Sequence, residues 1–341
     1  MNNGVVHVGL DLGTSHSAIS GSNGRRHLVE SFVGWPVDMV ARKVLQKEVV
    51  VGSQALENSP MLDLRRPLER GLIKDGSPRE LEAVREILRH LVSLVVEPEA
   101  RQHGVQVRAV VGVPAEAMRV NKKELREALS GVVDQVLIVS EPFAVAYGRE
   151  ELVNTMVIDV GAGTTDFCVL KGRYPTAEDQ RTISKAGDSV DQKLYELVAE
   201  RYPEAKFSVH MARKWKESHS FVWVPEAPVL VSAPVDGRPT DLEITQEMSS
   251  ACESLLPPLV EVLLDLLANI EPEIQGKVSQ NIILAGGCSQ IPGLGAAVCE
   301  EVEKVRPGKV KVIDDPVFAG SDGGLAIAMD APDDDWEHLP A

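Results

Sequence analysis

Hydrophobic residues in this chain follow two spacings that alternate from one end to the other. Short β-branched runs at Val5–Leu10, Val107–Val113, Val136–Val139, Thr155–Val160, Asn281–Ala285 and Val310–Ile313 have the length and flanking turn residues of buried strands. Between them, apolar residues recur every three or four positions. Leu81, Val84, Leu88, Leu91 and Val95 form one face of a helix. Ser77-Pro78-Arg79-Glu80 opens it with an N-cap, a proline at the first helical position and a capping-box glutamate. Glu116–Leu129 and Val190–Arg201 read the same way. Strands and helices in alternation predict an α/β fold.

The pattern contains a weak internal repeat. Gly9-Leu10-Asp11-Leu12-Gly13-Thr14-Ser15 finds a counterpart in Ile158-Asp159-Val160-Gly161-Ala162-Gly163-Thr164-Thr165-Asp166. In each, a hydrophobic strand ends in an aspartate, passes through a glycine turn rich in hydroxyls and re-enters an apolar strand. The two aspartates lie 148 positions apart, nearly half the chain, which points to two similar halves facing each other. The first half is expected over residues 1–146, with an insertion at about 34–70, and completed by residues 320–341. The second is expected over residues 147–319, with an insertion at about 187–241. The tail from Ala331 to Ala341 is acidic and contains prolines, and is expected to be mobile.

Composition narrows the picture. A chain of 341 residues is long enough for two cores, and 44% apolar with 25% charged residues is ordinary for a soluble globular protein. The longest apolar stretch, Leu259–Ile270, carries Glu261 and Asp265 and reads as an amphipathic helix, short of the roughly 18–20 residues that span a bilayer. Met1–Gly9 shows no leader pattern. Cys168, Cys252, Cys288 and Cys299 are scattered, without a Cys-x-x-Cys pair, and read as buried free thiols of a reducing compartment. The expectation is a cytoplasmic protein. A net charge of −16 argues against sequence-independent nucleic-acid binding, and any self-association must overcome like-charge repulsion.

Chemistry concentrates at the repeat. A glycine turn lets the backbone approach phosphates and aim successive N–H groups at them, and Thr14, Ser15, Thr164 and Thr165 add hydroxyls. Two such hairpins on facing halves would enclose a triphosphate. Asp11 and Asp159, each at a strand end, would hold Mg²⁺ through its water shell. A single hairpin of this kind would be an ordinary glycine turn; two in similar halves are more. No Gly-x-x-x-x-Gly-Lys-Ser/Thr run exists, and Gly161-Ala162-Gly163 lacks the third glycine and the following helix of a dinucleotide site. Glu141, between the strand Val136–Val139 and a helix begun by Pro142, stands where a carboxylate can orient an attacking water, although such a glutamate also commonly caps a helix. Gly286-Gly287-Cys288-Ser289 would let a base or ribose lie against backbone. Cys288 has no histidine nearby in sequence to activate it as a nucleophile, the histidines lack metal-ligand spacing, and Ser15-His16-Ser17 reads as part of the hairpin. Arg213, Lys214 and Lys216 have the spacing of a solvated helix face, from which Lys216 can reach an adenosine.

Taken in order, these segments resemble the five-motif ATPase signature of the actin superfamily. Gly9–Ser17 and Ile158–Asp166 are similar to its two phosphate motifs, Val139–Gly148 and Gly320–Ala326 to its connecting segments, and Ile283–Ser289 to its adenosine motif. Pro67-Leu68-Glu69-Arg70-Gly71-Leu72-Ile73-Lys74-Asp75 resembles a stretch of the MreB-type bacterial actins. Asp11–His16, Val33–Asp38, Leu62–Arg65, Val139–Phe143, Lys185–Asp188 and Lys216-Glu217 resemble the magnetosome-associated branch of that family. The resemblance implies an actin-like fold of two ribonuclease-H-like domains around a nucleotide cleft. It implies ATP and Mg²⁺ as cofactors, and polymerisation of the chain with itself into cytoplasmic filaments that associate with magnetosome vesicles through adaptor proteins. Glu141 and Asp159 would then be catalytic, and Asp11 and Asp159 would serve the metal. Gly13, Thr14, Ser15, His16, Gly161, Ala162, Gly163, Thr164 and Thr165 would surround the phosphates, and Lys216, Gly286, Gly287 and Cys288 the adenosine. The chain departs from the family at Arg213, where MreB-like proteins carry a glutamate near the ribose. No amphipathic helix opens the sequence, so direct membrane attachment is not expected. A small-molecule kinase on the same fold is the alternative reading, and a chaperone ATPase fragment a more distant one.

Overall fold

The computed structural model describes residues 4–74, 77–115, 122–223, 225 and 227–339. Two sheets dominate it, and they share one plan. The first contains β1 (Val5–Leu12), β2 (His16–Gly21), β3 (Arg26–Glu30), β4 (Gln106–Val113) and β5 (Gln135–Ser140), in the order β3-β2-β1-β4-β5. The second contains β6 (Val153–Val160), β7 (Thr165–Lys171), β8 (Gln180–Ile183), β9 (Ile282–Ala285) and β10 (Val310–Val312), in the order β8-β7-β6-β9-β10. In both, the first two pairings are antiparallel hairpins and the last two are parallel. The six strand runs expected from the hydrophobic pattern are all present, shifted by no more than two residues at either end.

Helix α1 (Pro78–Val95) begins as its sequence requires. Ser77 Oγ accepts from the Glu80 N–H at 3.3 Å, and Pro78 sits in the first turn. The Glu80 carboxylate does not reach back to complete the expected capping box; it pairs with Arg65 at 3.1 Å. Val84, Leu88, Leu91 and Val95 are buried and pack against Leu10, Ile19 and Val111 of the first sheet. Part of the helix expected at Glu116–Leu129 lies outside the described residues, and Lys122–Leu129 is helical. A second core joins Phe167 with Leu194, Ile244 and Leu263, the last on the amphipathic helix Leu256–Asn269.

Between the sheets lies a third core built on two short helices, α2 (Glu141–Gly148) and α5 (Pro316–Asp330). Their backbones cross in direct contact. A Cβ placed on Gly148 would lie 2.8 Å from Gly323 Cα, and one on Gly323 would collide with the Ala144 carbonyl. A Cβ on Gly9 of β1 would likewise collide with the Ser321 carbonyl of α5. Glycine here provides close approach, since no side chain fits between the elements.

The segment expected as an insertion at 34–70 forms its own small sheet from Val33–Pro36, Val50–Val51 and Leu62–Arg65, over Val50, Ala55 and Leu62. A hairpin of Leu68–Glu69 and Leu72–Ile73 follows, its Arg70-Gly71 turn having positive φ at both residues (52° and 69°). Against the expectation of a mobile tail, its described residues pack onto the first sheet. Trp336 is only 5% exposed and lies against His7, and Glu337–His338 adds an antiparallel strand beside β5. Glu337 also pairs with Lys122 and Arg126, so the acidic tail is held by a basic helix. Cys168, Cys252 and Cys288 are buried free thiols, and Cys299 is half-buried.

Candidate functional site

A cavity of about 340 Å³ opens between the two sheets. Its position follows from the topology. Asp11 is paired with Gly112 at the carboxyl end of the parallel pair β1–β4, and Asp159 with Ala285 at the same end of β6–β9. Carboxyl ends of parallel strands are where an α/β sheet leaves a crevice. Glu141, the first residue of α2, joins these two aspartates in lining the cavity. Gly13, Thr14, Ser15 and His16 from the β1–β2 turn line one wall, and Gly161, Ala162, Gly163 and Thr164 from the β6–β7 turn the other. Helix α3 (Gly187–Arg201) contributes Asp191, and α4 (Val209–His219) contributes Arg213, Lys216 and Glu217. Gly286, Gly287, Cys288, Gln290 and Ile291, after β9, also line the cavity, as do Gly71 and, from α5, Pro316 and Val317.

The electrostatics of this cavity ask for a cation. Burial raises the Asp11 pKa to about 7. Burial, then Asp11, Asp166 and Asp159, push Glu141 well above the usual carboxylate range; burial, then Asp11 and Asp166, do the same to Asp159. Among the described residues, no three or more His, Cys, Asp or Glu side chains form a ready-made metal cage. Two strand-end carboxylates without such a cage fit Mg²⁺, which keeps several of its waters. A pH dependence follows. Each of these carboxyls titrates higher in the folded protein than in the unfolded chain. Their contribution to stability is therefore complete below about pH 4 and is lost as pH rises, through about 7 for Asp11. The nucleotide-free protein is expected to melt several degrees lower at pH 8 than at pH 6. Asp11→Asn should flatten that slope, measured by calorimetry in buffers of equal ionic strength; an unchanged slope would remove Asp11 as its source.

The cations of the cavity are built in. Lys216 is buried, pairs with Asp191 at 2.6 Å and donates to the Gly187 carbonyl at 3.1 Å. Burial works against its charge, but Cys288 and Asp191 outweigh it and raise its pKa. Arg213 pairs with Asp188 at 2.7 Å and Asp191 at 2.8 Å. The solvated-face reading of this stretch therefore holds only for the exposed Lys214. Burial lowers the His16 pKa, so its imidazole is neutral near pH 7 and offers a hydrogen bond, not a charge.

One residue read as part of the phosphate wall is displaced. Thr165 is buried, does not line the cavity, and donates its hydroxyl to the Lys185 carbonyl at 2.7 Å. It is the first residue of β7, where side chains alternate, so it and Thr164 cannot both face the cleft. The Cys288 thiol lines the cavity and points to the Gly161 carbonyl at 3.4 Å. Burial raises its pKa, consistent with a lining side chain and not a nucleophile. The sequence reading missed Asp191, which is fully buried. The available signal was helical spacing: Asp188 and Asp191 are three apart at the start of α3 and share the face toward Arg213.

Comparison with known proteins gives this geometry a family. The family model for the MreB/Mbl protein matches residues 5–333. The actin-like protein MamK of Paramagnetospirillum magneticum is 41% identical over 334 residues, covering 98% of this chain and 95% of that protein. The MamK of Magnetospirillum gryphiswaldense is 40% identical, covering 98% and 92%. The cell shape-determining protein MreB of Escherichia coli is 25% identical over 276 residues, covering 77% and 76%. Among solved structures, a MamK double helical filament superposes with a TM-score of 0.91 at 40% identity, covering 96% of this chain and all of that one. A non-polymerising MamK mutant bound to AMPPNP superposes with a TM-score of 0.72 at 40% identity, covering 96% and 99%. Two sheets of one plan, a cleft between their strand ends and a near full-length match lead to one conclusion: this chain is a member of the MreB/Mbl family of actin-like proteins.

Proposed function

We propose that this chain binds Mg²⁺-ATP in the cleft and polymerises into cytoplasmic actin-like filaments that organise and position magnetosome chains, with hydrolysis controlling filament turnover. The observation that carries the reading is the cleft itself. Two glycine–hydroxyl turns from sheets of equal order face each other over Asp11, Glu141 and Asp159. The MamK double helical filament and the AMPPNP complex of a MamK mutant, each 40% identical to this chain, support assembly and an adenine nucleotide.

In this reading the backbone of Gly13–Ser15 and Ala162–Thr164 donates N–H groups to phosphate oxygens, while the Gly161 N–H closes its own turn on the Thr164 carbonyl at 2.9 Å. Asp11 and Asp159 would hold Mg²⁺, which would supply charge neutralisation at the phosphates. Glu141 orients a water and accepts its proton as the water oxygen bonds to the terminal phosphorus and the bond to the departing ADP oxygen breaks. Lys216 and the Gly286–Cys288 turn surround the adenosine. Arg213, held by Asp188 and Asp191, would lie on the ribose side. With a net charge of −16, filament assembly should strengthen with salt or divalent cations. No helix of the described residues is long and apolar enough to cross a membrane, so adaptor proteins are the proposed link to vesicles.

Sedimentation with phosphate release in the same tubes tests the proposal. Protein is expected to pellet with Mg²⁺-ATP and to stay in the supernatant without nucleotide. A soluble protein that binds ATP but releases ADP only with a small-molecule acceptor would instead be a kinase on this fold.

A further inference from the structure

The mouth of the cleft is crossed by an ion pair that the hydrolytic roles above do not use. Arg66, between the small sheet and the Leu68–Ile73 hairpin, donates from Nε to the Thr14 carbonyl at 2.9 Å. Its two terminal nitrogens meet the two carboxylate oxygens of Asp188 at 2.9 and 3.0 Å. Asp188 belongs to α3, whose first turn is stitched to the opposite phosphate turn. The Gly187 N–H donates to the Gly161 carbonyl at 3.1 Å, and the Asp188 N–H to the Ala162 carbonyl at 2.7 Å. A continuous path thus runs from the β1–β2 turn through Arg66 and Asp188 to the β6–β7 turn.

Two features show how tightly that path closes. The Gly71 N–H donates to Thr14 Oγ1 at 3.2 Å, which draws the Arg70-Gly71 turn over the cleft. On the far side, a Cβ at Gly163 would lie 3.0 Å from Arg70 Cα and would collide with Thr14 Oγ1. Arg213 steadies the bridge from behind, holding Asp188 at 2.7 Å and lying 3.5 Å from Ser15 Oγ.

We propose that the Arg66–Asp188 pair is a latch that holds the two phosphate turns closed over bound nucleotide and sets how slowly nucleotide leaves. The proposal rests on the nucleotide reading of the cleft. Its physical basis is differential. The pair joins side chains from opposite walls, so it forms only when the walls meet, and it stabilises the closed state alone. A bidentate arginine–carboxylate pair is directional and charge-assisted, which a lysine cannot reproduce in full. The side chains are 26% and 32% exposed, so the pair is partly screened, and a tenfold effect on dissociation, not a thousandfold one, is the scale to expect.

The test is stopped-flow dissociation of N-methylanthraniloyl-ATP with Mg²⁺, chased by excess ATP, at protein concentrations that leave no pellet. Arg66→Gln is expected to speed release about tenfold, Arg66→Lys by less, and neither to move the melting temperature of the nucleotide-free protein by more than about two degrees. The Arg66→Gln, Asp188→Asn double variant should exceed Asp188→Asn alone by far less than tenfold, because Asp188→Asn already removes the pair, and with it the Arg213 contact. Added salt should speed release from the wild type more than from Arg66→Gln. A wild-type release rate in Arg66→Gln, or effects that multiply in the double variant, would overturn the latch while leaving nucleotide binding intact. A wild type that retains no labelled nucleotide would overturn the nucleotide reading and the latch together.

Discussion

Glu141→Ala protein is expected to bind Mg²⁺-ATP and to pellet as the wild type does, while releasing phosphate at least about 100-fold more slowly. In the proposed function Glu141 serves hydrolysis and little else. It starts α2 and lines the cavity with Asp11 and Asp159, outside both glycine turns. Removing its carboxylate leaves every proposed phosphate and adenosine contact in place, so binding and assembly should persist. It also relieves like-charge crowding among buried carboxyls, and the variant should melt no lower than the wild type. Asp159→Asn provides the contrast. As a proposed metal and catalytic residue it should lose nucleotide affinity together with turnover, which Glu141→Ala should not. Equal phosphate release by wild type and Glu141→Ala would remove Glu141 from the mechanism. Loss of pelleting in Glu141→Ala alone would make it an assembly residue.

Gly323→Ala is expected to destabilise the fold by about 3 kcal/mol or more, an effect at the upper end for a single methyl group. The added Cβ would collide with the Ala144 carbonyl at the crossing of α2 and α5, where the obstacle is backbone and cannot rotate away. Relief requires the helices to separate, and α5 also packs on β1, where Gly9 meets Ser321 just as closely. Gly276→Ala is the control. Gly276 lies in the helix Pro272–Ser279, is exposed, and has no atom within 4 Å of an added Cβ. That substitution should stabilise by about 0.5–1 kcal/mol through helix propensity. Denaturant unfolding of the two variants beside the wild type decides the matter. A Gly323→Ala midpoint within error of the wild type would mean that the crossing adjusts at no cost.

The glycines at this crossing illustrate how sequence and structure divide the information. Gly320-Ser321-Asp322-Gly323-Gly324 resembles the connecting segment of the family only loosely when read as a string. In space its meaning is plain, because each glycine meets a particular backbone or side-chain atom of β1 or α2. The hairpin of Leu230–Val235 and Arg238–Glu243 is the opposite case. Its Asp236-Gly237 turn, with positive φ at both residues, carries a recognisable hairpin signal, yet the surrounding segment read only as an insertion. The tail misled because acidic and proline-rich composition suggests mobility, whereas Trp336 finds a place between His7 and Arg108.

The sequence by itself determined the α/β alternation, the six central strands, the amphipathic face of α1 and the two aspartate–glycine turns. These are local properties: side-chain periodicity and turn chemistry act over a few residues and need no distant partner. It also named most residues that line the cleft, because the two turns and Glu141 carry their signal in consecutive positions. Only the tertiary structure decided which way those residues face. Thr164 and Thr165 are adjacent and chemically alike, but strand alternation gives one to the cleft and the other to the Lys185 carbonyl. Lys216 reads as solvated until Asp191 is brought to 2.6 Å from it, and Arg66 has no role until Asp188, 122 positions away, closes on it. Charge pairing across that separation depends on how two sheets of equal plan are turned toward each other, a relation that no window of sequence contains.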